Sequence, residues 1–168
     1  ESMGSFRIDT ISADAEISGI TASQFRLDST SGDFDLTGCK TDGLSMDSTS
    51  GSLTGNTLYV DGKLETNTTS GDVQVEGSFQ NIDSDTVSGL ISVTSKVCPD
   101  KIRTDSVSGN ASFTIPENDG FTYKLDTVSG YFNCDFEMSH KEGRGTYKGG
   151  GASFRFESVS GGAEVKRL

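Results

Sequence analysis

A chain of 168 residues makes one ordinary domain or one repeat array, and its formal charge of −11 gives a surface that repels phosphate backbones and anionic headgroups. Nucleic acid is thereby excluded as an expected partner. No apolar run nears the roughly 20 residues that span a bilayer, so membrane contact is expected only through a segment absent from this chain.

The chain opens on Glu1-Ser-Met-Gly-Ser5, and residues 1–5 read as the remnant of a trimmed N-terminus, which leaves room for a leader or membrane segment ahead of it. From residue 6 to residue 168 one pattern recurs: apolar, any, mixed, Asp, Ser/Thr, β-branched, Ser, Gly, any, apolar, polar, apolar. It is plainest in Phe25-Arg-Leu-Asp-Ser-Thr-Ser-Gly-Asp-Phe-Asp-Leu36, and further copies begin at Phe6, Leu44, Leu64, Ile82, Ile102, Tyr123 and Phe154, eight in all. The anchor glycines are Gly32, Gly51, Gly71, Gly89, Gly109, Gly130 and Gly161, with Ala13 in the first copy, at spacings of 19, 19, 20, 18, 20, 21 and 31 residues. A period near 20 residues marks a stacked repeat. Helix is excluded, because no window carries an apolar stripe at helical spacing without Gly, Ser or Thr breaking it.

The apolar slots lie seven residues before the anchor (Phe6 through Phe154) and two and four residues after it, as in Phe34 and Leu36, with Gly55 the exception in the last slot. Alternation with polar residues on each side of the anchor is the mark of half-buried strands. The slots are odd before the glycine and even after it, so the phase must shift within Asp-Ser/Thr-x-Ser-Gly. Each copy is therefore two short strands meeting at a corner, with Ile11, Thr30, Thr49, Thr69, Val87, Val107, Val128 or Val159 turning inward beside it. One such unit cannot enclose a core. Eight of them, stacked about 4.8 Å apart, bury an apolar column about 35–40 Å long. The expected fold is all-β: a single-domain parallel β-solenoid over residues 6–168, wound right-handed by the general rule for parallel crossovers.

At the corner, the column Asp28, Asp47, Asp85, Asp105 and Asp126 (Asn67 in mid-column) and the column Ser31, Ser50, Ser88, Ser108 and Ser129 are expected to bond nearby backbone N–H groups. Gly32, Gly51, Gly89, Gly109 and Gly130 supply either an unusual backbone conformation or a close approach between coils. The third side, including residues 38–40, 56–62, 77–80 and 96–100, varies in length and reads as irregular turns. The insert 137–151 lengthens the coil before the last copy and carries the sole histidine. A flap over the C-terminal end is its expected role. As a binding loop it would offer His140, Lys141, Arg144, Tyr147 and Lys148.

The recurring Asp-Ser/Thr-x-Ser-Gly followed by apolar–polar–apolar, as in Leu125-Asp-Thr-Val-Ser-Gly-Tyr-Phe-Asn-Cys134, resembles the bacterial DUF4097 family, whose members are described as adhesins and are β-solenoid-like. So does the ending Gly149-Gly-Gly-Ala-Ser-Phe-Arg-Phe-Glu-Ser-Val-Ser-Gly-Gly-Ala-Glu-Val165, where a glycine-rich turn precedes the last copy. The resemblance runs over nearly the whole chain from Phe6. It implies an extracytoplasmic protein of the cell surface or envelope, often with a membrane-attached region elsewhere, and it brings no catalytic residues.

Other chemistry finds little support. His140 has only Glu142 near it as an orienting carboxylate, and Gly-x-Ser-x-Gly does not occur. Asp33 and Asp35, beside Asp14 and Glu16 and near Asp72, could serve a glycan-active enzyme, but a solvated acidic face explains them. Calcium could use the carboxylate and hydroxyl columns, yet the Gly-Gly-x-Gly-x-Asp pattern is missing, and no cofactor is expected. Cys39, Cys98 and Cys134 show no metal-like spacing. A Cys39–Cys98 disulfide is left open, while Cys134 fills an inward slot. Phe34, Phe132, Phe154 and Phe156 fall on core columns, and Tyr131 and Tyr147 at exposed positions. The expected function is a non-enzymatic surface module that binds a protein or glycan partner along a solenoid face. The alternative is a scaffold or sensor domain of a membrane-anchored envelope-stress system.

Overall fold

The computed structural model describes residues 3–168 and shows an all-β parallel solenoid. The strands are β1 (Met3–Thr10), β2 (Ala15–Ser18), β3 (Thr21–Ser29), β4 (Phe34–Thr37), β5 (Lys40–Ser48), β6 (Leu53–Thr68), β7 (Val73–Thr86) and β8 (Ile91–Ser95). They continue as β9 (Lys101–Ser106), β10 (Ala111–Ile115), β11 (Gly120–Thr127), β12 (Phe132–Cys134), β13 (Ser139–Lys141), β14 (Arg144–Lys148), β15 (Ala152–Ser158) and β16 (Ala163–Arg167).

Each repeat lays one strand on a first face before the corner and one on a second face after it. Equivalent residues of successive coils are paired: Phe6 with Phe25, Phe25 with Leu44, Leu44 with Leu64, Leu64 with Ile82. The apolar slots close into one core, with Phe25, Leu44, Leu64, Ile82 and Ile102 buried from the first face and Phe34, Leu53, Val73 and Ile91 from the second. The third face pairs as well, Leu58 with Gly77 and Val60 with Phe79, and its ladders carry register shifts between Gly55 and Leu58 and between Val60 and Lys63. Those slips absorb the drift of the period. They also explain Gly55: Leu58 fills the place where its side chain would stand.

The phase shift at the corner works differently from the expectation. The hydroxyl residue three before the anchor turns toward the core, and the β-branched residue after it faces solvent. Ile11 is 77% exposed and Val128 83%, with Val87, Val107 and Val159 close to half exposed. Two consecutive outward residues, the β-branched one and Ser, move the inward set from odd to even positions. The inward place goes to the hydroxyl because it can bond at the bend: Ser29 Oγ, Ser48 Oγ and Thr86 Oγ1 accept the anchor N–H at 2.7, 2.8 and 2.9 Å. A valine there would leave that N–H unpaired.

The order of coils also departs from the order of the chain. Six coils stack in sequence, but the strand next to β9 is β15, and β11 follows it. On the second face β16 lies between β10 and β12. The eighth copy is thus seated between the sixth and the seventh. The insert makes this possible. Its β13–β14 hairpin turns through Glu142 and Gly143, both at positive φ, and β14 pairs antiparallel with β11 on the side away from β15. The chain then crosses the start of β11 through Gly149, Gly150 and Gly151. A side chain on Gly120 would strike the carbonyls of Tyr147 and Gly150, so the crossing needs glycine beneath it. The hairpin covers the outer edge of β11. Phe136 and Tyr147 pack on Phe121 there, at 5.4 and 5.5 Å between ring centroids.

The candidate binding surfaces

The corner is sealed by two hydrogen-bonded columns. Each corner serine donates its hydroxyl, as well as its N–H, to the carbonyl of the β-branched residue one coil away: Ser31 to Ile11, Ser50 to Thr30, Ser88 to Thr69, Ser108 to Val87, Ser129 to Val159. The second column follows the glycine. Asp14 Oδ1 accepts the N–H of Asp33 at 2.9 Å, Asp33 Oδ1 that of Ser52 at 2.7 Å, Asp72 Oδ1 that of Leu90 at 2.8 Å, and Asn110 Oδ1 that of Gly162 at 2.9 Å. The anchor glycines answer a close approach, since none has positive φ. A Cβ on Gly51, Gly71 or Gly89 would overlap the carbonyl oxygen of the anchor one coil away.

The aspartates four before the anchor do other work. Asp28, Asp105 and Asp126 pair with cations two residues earlier on their own strands: Arg26 at 3.0 Å, Arg103 at 2.6 Å and Lys124 at 2.5 Å. Asp47 Oδ1 accepts the Asn67 amide at 2.7 Å. The backbone-sealing carboxylates are therefore those just after the glycine, where a solvated acidic face is the expectation from sequence. Asp, Asn or Ser at five of those eight positions was the available signal.

Because the β-branched column points outward, the first-face corner is grooved. Asp47, Asn67, Asp85 and Asp105 form one bank, Thr49, Thr69, Val87 and Val107 the other, and Ser48, Thr68, Thr86 and Ser106 the floor, around a volume of about 610 Å³. Burial, with Asp105 and Asp83 close by, raises the Asp85 carboxyl above the ordinary aspartate range. Arg103 engages one oxygen of Asp105; the other, Oδ1, is buried without a partner. After Ile11 in the first coil the ridge runs through Thr30, Thr49 and Thr69 and becomes apolar again at Val87, Val107, Val159 and Val128.

The five residues expected of a binding insert separate. Lys141 and Arg144 stand opposite one another on the outer surface of the hairpin. Tyr147, expected to be exposed, is 7% exposed, because its ring joins the aromatic cap over β11 while its hydroxyl donates to Glu117. Lys148 also bonds Glu117, at 2.8 Å, and these two contacts hold that carboxyl below its ordinary range. The side chain of His140 lies outside the described residues. Lys141 and Arg144 instead border an open trough of about 990 Å³ with Lys124, Arg155, Thr122 and Ser153.

The remaining sequence candidates fall into place. Phe34, Phe154 and Phe156 are buried, and Phe132 is half-buried against Tyr123, with 3.9 Å between ring centroids. All three cysteines are free. Burial, with Asp100 beside it, pushes the Cys98 thiol up to about 11, so it stays protonated at neutral pH. Among the described residues no group of three or more His, Cys, Asp or Glu is arranged to hold a metal ion.

Residues 2–80 match the family model described as Toastrack DUF4097, so the first half of the chain is similar to that family. Comparison with curated proteins and with solved structures found no match.

Proposed function

We propose that this domain is a non-enzymatic binding module of the cell envelope, working outside the cytoplasm, and that it docks a protein partner along the corner groove. One observation carries the reading: a continuous ridge of β-branched side chains is held out into solvent beside an acidic bank, where the expected place for those side chains was the core. Exposed apolar rows rimmed by charge mark interaction surfaces. The complementary partner is an extended segment carrying apolar and basic side chains, the apolar ones against Val87 and Val107 and the basic ones toward Asp85 and Asp105. Placement in the envelope is what the resemblance of the repeats to the DUF4097 family implies.

A library of extended peptides, read by fluorescence anisotropy, tests this. Peptides combining basic and apolar residues are expected to be enriched, and V87S/V107S to weaken them at least about tenfold, a loss near 1.4 kcal/mol. Failure to enrich any such peptide, or binding indifferent to both V87S/V107S and D85N/D105N, would refute the reading.

A further inference from the structure

The first face carries a second feature, remote in chemistry from the groove. Strand register sets Arg103 beside Arg155, Arg155 beside Lys124, Lys124 beside Arg144, and Arg144 beside Lys141. Five cations thus lie in one row across β9, β15, β11, β14 and β13, on a protein whose net charge is −11. They come from four separate stretches of chain, and only the displaced eighth coil and the antiparallel hairpin bring them together. Like charges directly opposite one another on a sheet are unfavourable. Asp105, Glu157 and Asp126 offset the charge of Arg103, Arg155 and Lys124. No ion pair to Lys141 or Arg144 is found among the described residues, and both are exposed.

We propose that this row is a binding site for a single linear acidic polysaccharide. Four strand spacings of about 4.8 Å give a row about 19 Å long, matched to a chain with recurring carboxylates rather than to one small anion. Beside it runs a second registered row, Ser153, Thr122, Thr146 and Ser139, whose hydroxyls suit the hydroxyls of a sugar chain. An open trough runs along these rows from Arg155 to Lys141, with Glu142 at its hairpin end. Asp105, Glu157 and Asp126 border it on the corner side and would repel a broad anionic membrane. The rings nearest the trough, Tyr123 and Phe154, are buried at 6% and 1% exposure and give nucleic-acid bases no stacking platform.

Titration calorimetry of the whole chain with polygalacturonate at low ionic strength tests the site, with neutral dextran, oligo-dT and phosphatidylglycerol vesicles as comparison ligands. Saturable binding to polygalacturonate alone is expected, weakening steeply with salt. K141Q/R144Q should weaken it at least about tenfold. Circular dichroism and the melting temperature of that variant should stay unchanged, since both side chains lie on the exposed face of the hairpin. V87S/V107S, which tests the groove, should leave polygalacturonate binding intact, so the two sites stand or fall separately. No saturable binding, binding indifferent to K141Q/R144Q, or tighter binding to vesicles or oligo-dT would overturn the proposal.

Discussion

At Gly71, one added methyl group would press on the carbonyl oxygen of Gly51. The backbones of adjacent coils meet there, so no side-chain rotation relieves the overlap. Gly71→Ala is expected to cost about 1–3 kcal/mol, in the range of overpacking, measured by urea unfolding. Ala13 already carries the methyl group at the same place in the first coil and is exposed, which agrees with the contact running from each anchor to the one before it. Asp85 offers a second residue-scale test. Its carboxyl is raised in the folded state, so protonation favours the fold. Stability is greatest below the unfolded pKa and is lost as pH rises through the folded one. Asp85→Asn, which repeats what Asn67 does in the same column, should therefore stabilise the protein at neutral pH. It should also flatten the weakly acidic part of the stability–pH curve, and an equal loss at every pH would refute this. At this scale the sequence was legible where one residue type was required, as with the glycines and corner serines. It misled where two columns shared a type. Aspartate before the corner and aspartate after it look alike in a repeat: the first meets a cation two residues earlier on its own strand, and only the neighbouring coil shows that the second meets a free N–H.

The elements followed from alternation, because inward slots at fixed offsets leave few ways to bury them. The hairpin did not. Residues 137–151 contain no apolar repeat to place them, and their position depends on aromatic packing that register alone reveals: Phe136 against Phe121 and Tyr147, with Arg167 over its ring at 4.9 Å. Phe136→Ala should cost about 3–5 kcal/mol, as other buried Phe truncations do. It should also raise hydrogen exchange in β14 before it does so in β5. Uniform loosening along the whole stack would count against a cap held locally by those rings. Tyr147 shows the same limit from the other direction: it sits in a polar, glycine-rich stretch, and only its pairing opposite Phe121 turns it inward.

For the whole molecule, eight equivalent copies predicted a stack, but equivalence says nothing about order. Any copy can sit on any other with the same ladders, and the connection between copies decides the arrangement. Here the long insert and its glycines carry the chain around β11 and bring the eighth copy inside the seventh. Amides of β15 are consequently bonded between two strands, and they should exchange with solvent as slowly as those of β9. A terminus fraying on its own would exchange early and contradict the arrangement.

Translation then gains a constraint that simple solenoids escape. Residues 152–168 leave the ribosome after residues 120–134, yet coil seven rests on them. A nascent chain can assemble its first six turns as they emerge, but the seventh waits for residues 152–168 before its permanent neighbour exists. The eighth copy works as a keystone: made after the seventh, it is the one that locks it in place, and a chain without residues 152–168 would lose an interior course of the stack instead of its outermost one.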